Sequence, residues 1–237
     1  MKSLALIFTL IILTCLGVPA LAQGGDTTIE YGQSVTGEIT NQAFEVPYVF
    51  QGAAGDIIVA EMSAVEVLGD LSMPSIILLD TDFNMLSSVY GFNSAVLAAK
   101  LPADGTYNLL ATRNNGRAGD SLGEYTLSLL KPQVLVADEA VSSSLTNETV
   151  DYFVIEAEGP FSLHYEKQTG NFYPATTIHV ISDGELDEAA ALQGEELSSG
   201  VLGLEGKSDS YIVTVGEALW DFNFFTVSAE YTLTLTP

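Results

Sequence analysis

Alternation with a period of two runs through most of the chain. Tyr231, Leu233 and Leu235 alternate with Thr232, Thr234 and Thr236, and Tyr125, Leu127 and Leu129 do the same around Thr126 and Ser128. Such spacing puts the apolar set on one face of a strand and the hydroxyls on the other. Turn signals separate these runs: Gly52-Ala53-Ala54-Gly55-Asp56, Asp104-Gly105, Asn114-Asn115-Gly116 and Asp183-Gly184. Many short strands with no long helical period predict an all-β sandwich architecture. One stretch departs from it. Glu185 to Gln193 has the composition of two helical turns stopped by Gly194, and reads as a loop insertion between strands.

The strand pattern occurs twice. Tyr48-Val49-Phe50 is echoed by Tyr152-Phe153-Val154, the Pro74-led strand by the Pro174-led one, Tyr107 by Tyr211, and Tyr125 by Tyr231, at offsets of 104, 100, 104 and 106. A repeat of about 100 residues is a domain rather than a solenoid turn. The expected organisation is two tandem jelly-roll-like antiparallel β-sandwich domains, 23–131 and 132–237, behind a leader of residues 1–22. The join falls near Lys131-Pro132-Gln133.

The leader follows from the first residues. Lys2, the apolar run from Leu4 to Leu13 and the closing Ala20-Leu21-Ala22 have the layout of a secretory signal peptide. The run is short for a spanning helix of about 20 residues, so no membrane span is expected. A secreted location, extracellular or periplasmic, follows. Cys15 lies within the leader, and Ile12-Leu13-Thr14 ahead of it lacks the small residue of a lipidation site. Without the leader the chain has no thiol for a disulfide, nucleophile or metal.

Several phrases of the first repeat resemble the bacterial and archaeal pre-peptidase C-terminal domain family. They are Tyr31-Gly32-Gln33-Ser34-Val35-Thr36-Gly37-Glu38-Ile39, Tyr48-Val49-Phe50, Ala54-Gly55-Asp56, Leu101-Pro102-Ala103-Asp104-Gly105-Thr106-Tyr107 and Gly123-Glu124-Tyr125-Thr126-Leu127. The resemblance covers residues 29 to 130 and implies a jelly-roll-like sandwich of the kind appended to secreted proteases and other exported enzymes. The second repeat is a divergent copy that keeps the tyrosine strands but not the Gly-Gln opening or the Pro-x-Asp-Gly turn. At the family's Asp-rich turn stands Asp80-Thr81-Asp82-Phe83-Asn84, without the common glycine. Some relatives bind calcium near their sandwich edges, which implies at most weak Ca²⁺ binding here.

Charge narrows the partners. After residue 22 six basic side chains face 31 acidic ones, a formal charge of −25. That balance opposes the phosphate neutralisation nucleic acids require, and adhesion to anionic membranes. It also favours solubility over tight self-association. Catalytic constellations are missing too: no GxSxG, HExxH or Walker-type segment occurs. His164 and His179 sit in strand-like runs. Asp80, Asp82 and Asn84 imitate an EF-hand opening, but Met85 replaces the sixth-position Gly and Gly91 the twelfth-position Glu, so a turn is the better reading. No catalytic residue, metal ligand or cofactor is assigned. Carboxylate pairs are numerous but fix no distance. Arg113 and Arg117 share a loop that either clamps a carboxylate or balances the acidic surface.

One segment breaks the repeat. Leu219-Trp220-Asp221-Phe222-Asn223-Phe224-Phe225 stands where the first half has Arg113-Asn114-Asn115-Gly116-Arg117. Alternating Trp220, Phe222 and Phe224 project to one side, either as a platform for a sugar ring or protein partner, or as part of the second core. The function expected is a secreted, non-catalytic binding or adhesion module for extracellular polysaccharide or protein. The alternative is a structural or accessory cell-envelope protein acting through a protein partner.

Overall fold

The computed structural model describes residues 27–65, 71–146, 149–170, 174–192, 198–216 and 228–237. The leader and the Trp220, Phe222 and Phe224 segment lie outside the described residues. The first nine strands are β1 (Thr27–Thr28), β2 (Gln33–Ile39), β3 (Glu45–Gly52), β4 (Ile57–Ala64), β5 (Pro74–Leu79), β6 (Met85–Tyr90), β7 (Ser94–Lys100), β8 (Gly105–Arg113) and β9 (Gly123–Leu130). They form one sheet in the order β1-β3-β8-β5-β6 and another in the order β2-β9-β4-β7. The chain crosses between sheets in jelly-roll fashion.

The remaining strands are β10 (Gln133–Val134), β11 (Ala140–Thr146), β12 (Asp151–Glu156), β13 (Phe161–Gly170), β14 (Ala175–Ser182), β15 (Glu185–Leu192), β16 (Ser199–Leu204), β17 (Ser210–Gly216) and β18 (Ser228–Thr236). Their sheets run β10-β12-β17-β14-β15 and β11-β18-β13-β16, so each strand repeats the one nine places earlier. Even the parallel pairing of β1 with β3 recurs as β10 with β12. A bulge recurs too: Leu86 is the extra residue on β6, and Ala189 on β15. The protein is all-β, two tandem sandwiches of one topology.

The pairings correct two sequence expectations. Phe50 pairs with Tyr107, but Tyr211 pairs with Ile155, so the counterpart of Tyr48 is Phe153 and not Tyr152. A slip of one residue changes the face of every side chain. Tyr48 and Phe153 are buried in their cores, and Tyr152 points to the opposite face. Residues 185–192, expected as a helical loop insertion, are instead the edge strand β15. The reason is local. Asp183 and Gly184 both have positive φ (50° and 92°), the type I′ pattern whose twist suits a two-residue hairpin. Pairing with β14 then outweighs the helical preference of the alanines.

Each sandwich encloses its own core. Leu127, Leu129 and Tyr125 join Ile58, Met62, Leu78 and Leu109 in the first; Leu233 and Tyr231 join Leu163, Ile178 and Val213 in the second. The equivalent tyrosines are satisfied differently. The Tyr125 and Tyr48 hydroxyls bond each other at 2.9 Å, whereas the Tyr231 hydroxyl donates to Asp151 Oδ2 at 2.6 Å, which Ser143 also reaches at 2.8 Å.

A third apolar cluster joins the two sandwiches. Ile57, Val59 and Ala98, on the outer face of β4 and β7, pack against Val154 and Ile212, on the outer face of β12 and β17. Lys100 Nζ lies 3.0 Å from Asp209, and Tyr152 donates a hydrogen bond to Glu61 across the same seam. The β14–β15 turn completes the contact. Asp183 O accepts from Ser87 Oγ at 3.0 Å, and Gly184 O from the Ala98 amide at 2.9 Å. The halves thus dock front to back, with unlike faces in contact.

Candidate functional site

Among the described residues, an aromatic edge on the first sandwich stands apart from the rest of the surface. On β6, Ser87 and Val89 turn inward and are buried, while Met85 and Tyr90 face out at 66% and 58% exposure. The turns at its two ends carry Phe83 and Phe92, exposed by 71% and 69%. Both turns are built. Asp80 Oδ1 accepts from the amides of Asp82 (2.9 Å) and Asn84 (2.8 Å), and the Asn84 side chain donates to both carboxylate oxygens. These bonds, with the Asn84 side chain first, hold the Asp80 carboxyl below the usual carboxylate range. They also fix Phe83 at φ +62°, a backbone that non-glycine residues seldom adopt, with its ring in solvent. At the far end, the Gly91 amide donates to Pro74 O (3.2 Å) and the Asn93 amide to Ser72 O (3.0 Å), bracketing Phe92.

Behind this edge the outer sheet face continues apolar, through half-buried Ile77 and Leu79 on β5, Leu110 on β8 and Val49 on β3. In the second sandwich the equivalent face carries Val154 and Ile212 and is spent on docking. Sequence reading recognised 80–84 as a turn but missed Phe83, Tyr90 and Phe92 as a displayed set. The available signal was the weak inward set of β6, a serine and a valine, against two flanking aromatics.

The EF-hand-like reading of Asp80, Asp82 and Asn84 resolves into this turn. Among the described residues no group of three or more His, Cys, Asp or Glu side chains is placed to hold a metal ion. Arg113 does not lie on an exposed loop. Only 2% exposed, it directs Nε to Gly116 O (2.8 Å) and Nη1 to Ser121 O and Asn41 Oδ1 (3.2 Å each). It therefore offers no surface to a ligand carboxylate; Arg117 beside it is exposed. The family-like phrases have structural duties as well. Asp104 Oδ1 accepts from the Ala54 amide (2.8 Å), joining two turns, and the Tyr107 hydroxyl donates to Ala103 O (2.7 Å).

Both histidines meet threonines. His164 Nε2 lies 3.3 Å from Thr236 Oγ1 on an exposed face, and His179 Nε2 lies 2.9 Å from Thr214 Oγ1. Burial pushes the His179 imidazole below its ordinary value, against the pull of Glu188. A lowered histidine contributes stability in full above its unfolded value of about 6.5 and loses it as pH falls through the folded value. Thermal unfolding followed from pH 8 downwards should therefore show a loss beginning near pH 6.5, and His179→Gln should remove that step. A wild-type profile flat until the carboxylates titrate would contradict it.

The join is held by a second polar cluster. Lys131 Nζ lies 2.7 Å from Asp56 Oδ1 and 5.8 Å from the Tyr31 ring centroid, and the Tyr31 hydroxyl donates to Asp56 Oδ2 at 3.1 Å. Burial alone would raise the Asp56 carboxyl, but Lys131, the Ala53 amide and Tyr31 together hold it low. The linker is thereby tied to the first sandwich beside a crevice of about 210 Å³ shared with Val154 and Glu156.

No family model and no curated protein matches the chain. Among solved structures it is similar to the CUB1-EGF-CUB2 domain of human MASP-1/3, at 8% identity and a TM-score of 0.23, over 85% of this chain and 99% of that one. A second is the M60 catalytic domain with the CBM51-1 and CBM51-2 domains of Clostridium perfringens ZmpB, at 9% identity and a TM-score of 0.25, over 81% of this chain and 33% of that one. The CUB1-EGF-CUB2 domains of rat MASP-1 follow at 8% and 0.22, over 87% and 99%. Likenesses this distant carry no function across. Among the described residues no helix is long and apolar enough to cross a membrane.

Proposed function

We propose that the protein is an exported, non-catalytic binding module that engages an extracellular polymer, polysaccharide or protein, through the aromatic edge of its first sandwich. The observation that carries this reading is the display of Tyr90 on β6 between Phe83 and Phe92, which stand on turns fixed by hydrogen bonds. Exposed aromatic rings lose little entropy on binding and offer both an apolar face and, in Tyr90, a polar tip. Export rests on the leader-like segment of residues 1–22, and membership of the first repeat in the pre-peptidase C-terminal family on the phrases that resemble it.

The double variant Tyr90→Ala/Phe92→Ala, on outward-facing positions, should keep the wild-type melting temperature. It should lower retention on the polymer that the protein binds by about fivefold or more, since two aromatic contacts contribute about 1–3 kcal/mol. A panel of insoluble polysaccharides and immobilised matrix proteins, with Trp220→Ala as a parallel variant, is the measurement. Unchanged retention in both variants would overturn the binding-module reading. A second reading, an accessory envelope protein, is favoured by the apolar outer face around Ile77, Leu79 and Leu110. Its equivalent in the second sandwich already serves docking between the two sandwiches of the chain.

A further inference from the structure

The contact between the sandwiches is a plug in a socket. The plug is the turn Asp183-Gly184 of the β14–β15 hairpin, and the socket is the opening between edge strands β6 and β7, where Ser87, Val89 and Ala98 receive it. Because the two halves share one topology, each has both parts. The pairings equate Ser87 with Ala190, bulge residue Leu86 with Ala189, and Ala98 with Gly203. In the second sandwich no hairpin of the described residues enters the opening between β15 and β16. It is a cleft of about 350 Å³ whose lining includes Val180, Ala189, Gly203, Glu205, Lys207 and Tyr211. The first sandwich, in turn, has an unused plug, the β5–β6 turn with Phe83 at its tip.

We propose that the protein associates head to tail with a second copy of itself, the Phe83 turn of one copy entering the cleft between β15 and β16 of the next. Size complementarity supports the pairing. The occupied socket is tight and takes a glycine, since any Cβ at Gly184 would collide with Ser87 Oγ. The cleft between β15 and β16 has Gly203 in place of Ala98, and its volume of about 350 Å³ admits an aromatic ring. Charge agrees as well. Asp82 flanks Phe83 on the plug, and Lys207 stands at the cleft beside Glu205, to which it is joined by a solvent-exposed pair at 3.0 Å that costs little to exchange, so the attraction is local to Lys207. The contact continues an established interface: the apolar outer face of β5 and β8 would lie on the outer face of β13 and β16, as the face of β14 and β17 lies on that of β4 and β7. That second surface is more polar, with Ser162 where the first has Val59. Together with the charge of −25, this makes the association weak and strengthened by salt, which screens the long-range repulsion. Unlike faces in contact give a chain of copies rather than a closed dimer. The contact shares Phe83 with the aromatic edge proposed for polymer binding, but Tyr90 and Phe92 lie at the opposite end of β6, so association is read through Phe83 and polymer retention through Tyr90 and Phe92.

The test is sedimentation velocity on the full chain without its leader, from about 10 μM to about 1 mM, at low and high salt. Phe83→Asn suits the left-handed backbone, and a Cβ at Gly203 comes no closer than 3.8 Å to Ser162 Oγ, so Gly203→Leu starts without a clash; both variants should keep the wild-type melting temperature. Wild type should sediment faster with rising concentration and salt, and each variant alone should stay monomeric. An equimolar mixture of the two should recover dimers and nothing larger, because one intact plug meets one intact socket. A wild type that remains monomeric throughout, a Phe83→Asn variant that associates like wild type, or a mixture that stays monomeric would each overturn the proposal. Polymer retention by Tyr90→Ala/Phe92→Ala is read separately, so the two ideas fail independently.

Discussion

Replacing Gly184 with valine should separate the two sandwiches while leaving each folded. The position combines two demands that only glycine meets. Its φ of +92° is strained for a β-branched residue, at a cost on the order of 1–3 kcal/mol, and its Cβ direction is occupied by Ser87 Oγ. Either the type I′ turn is lost or the hairpin withdraws from between β6 and β7. Withdrawal forfeits the bonds from Ser87 Oγ and the Ala98 amide, and unseats Ile57, Val59 and Ala98 from Val154 and Ile212. Small-angle scattering should show a larger radius of gyration. Protease should cut near Lys131-Pro132-Gln133, and thermal unfolding should broaden or split into two steps. Gly184→Ala, with the smaller side chain, should lie between. An unchanged scattering profile in the valine variant would show that docking rests on the apolar cluster alone.

Val59→Asp separates those contributions. Val59 is fully buried at the seam, and an unpaired carboxylate there costs several kcal/mol or forces the seam open. It should mimic Gly184→Val in scattering without touching the hairpin.

The docking surface was written in the sequence in a form that alternation alone obscures. A strand with one wet face alternates; a strand covered on both faces does not. Ile57-Ile58-Val59-Ala60 and Tyr211-Ile212-Val213 are runs in which every residue is buried, because one set enters a core and the other the seam. Tyr231-Thr232-Leu233, by contrast, alternates cleanly on a strand with one open face. The duplication was legible from tyrosines and turns, and strand order bears it out. Its register was not: substitution of Phe153 for the inward tyrosine left Tyr152 as a misleading match one residue away. The helix-favouring 185–192 segment misled for a different reason, since its fate was decided by the two-residue turn before it and by a partner strand, neither of which propensity includes. Asp80 and Arg113 drew attention as charged groups, yet both are absorbed by local backbone. Whether a polar side chain serves a ligand or its own loop depends on where nearby amides and carbonyls point, and spacing along a chain does not give that direction.

Arg113 offers the sharpest measure of such absorption, and Arg113→Met should destabilise the first sandwich by about 3–5 kcal/mol. The guanidinium is 2% exposed and bridges three segments: Asn41 before β3, Gly116 in the short turn at Gly116–Ala118, and Ser121 before β9. Methionine fills much of the same volume but donates nothing, so the Gly116 and Ser121 carbonyls lose partners at about 1.5–3 kcal/mol for each charged bond. Crowding tightens the requirement, because the Arg113 stem lies 3.3 Å from where a Cβ on Gly119 would stand. Arg113→Lys should recover little: one ammonium cannot reach Gly116 O, Ser121 O and Asn41 Oδ1 in the fork geometry that a planar guanidinium provides. Denaturant unfolding of the two variants beside wild type is the measurement, with Arg117→Met, on the exposed neighbour, as the control expected within about 0.5 kcal/mol of wild type. If Arg113→Lys matched wild type, charge alone would suffice there and the fork geometry would be irrelevant. If Arg113→Met did, the loop between β8 and β9 would be held by Thr112, whose Oγ1 donates to Phe44 O at 2.7 Å, and by the Ser121 hydroxyl, which accepts from the Met73 amide at 3.1 Å.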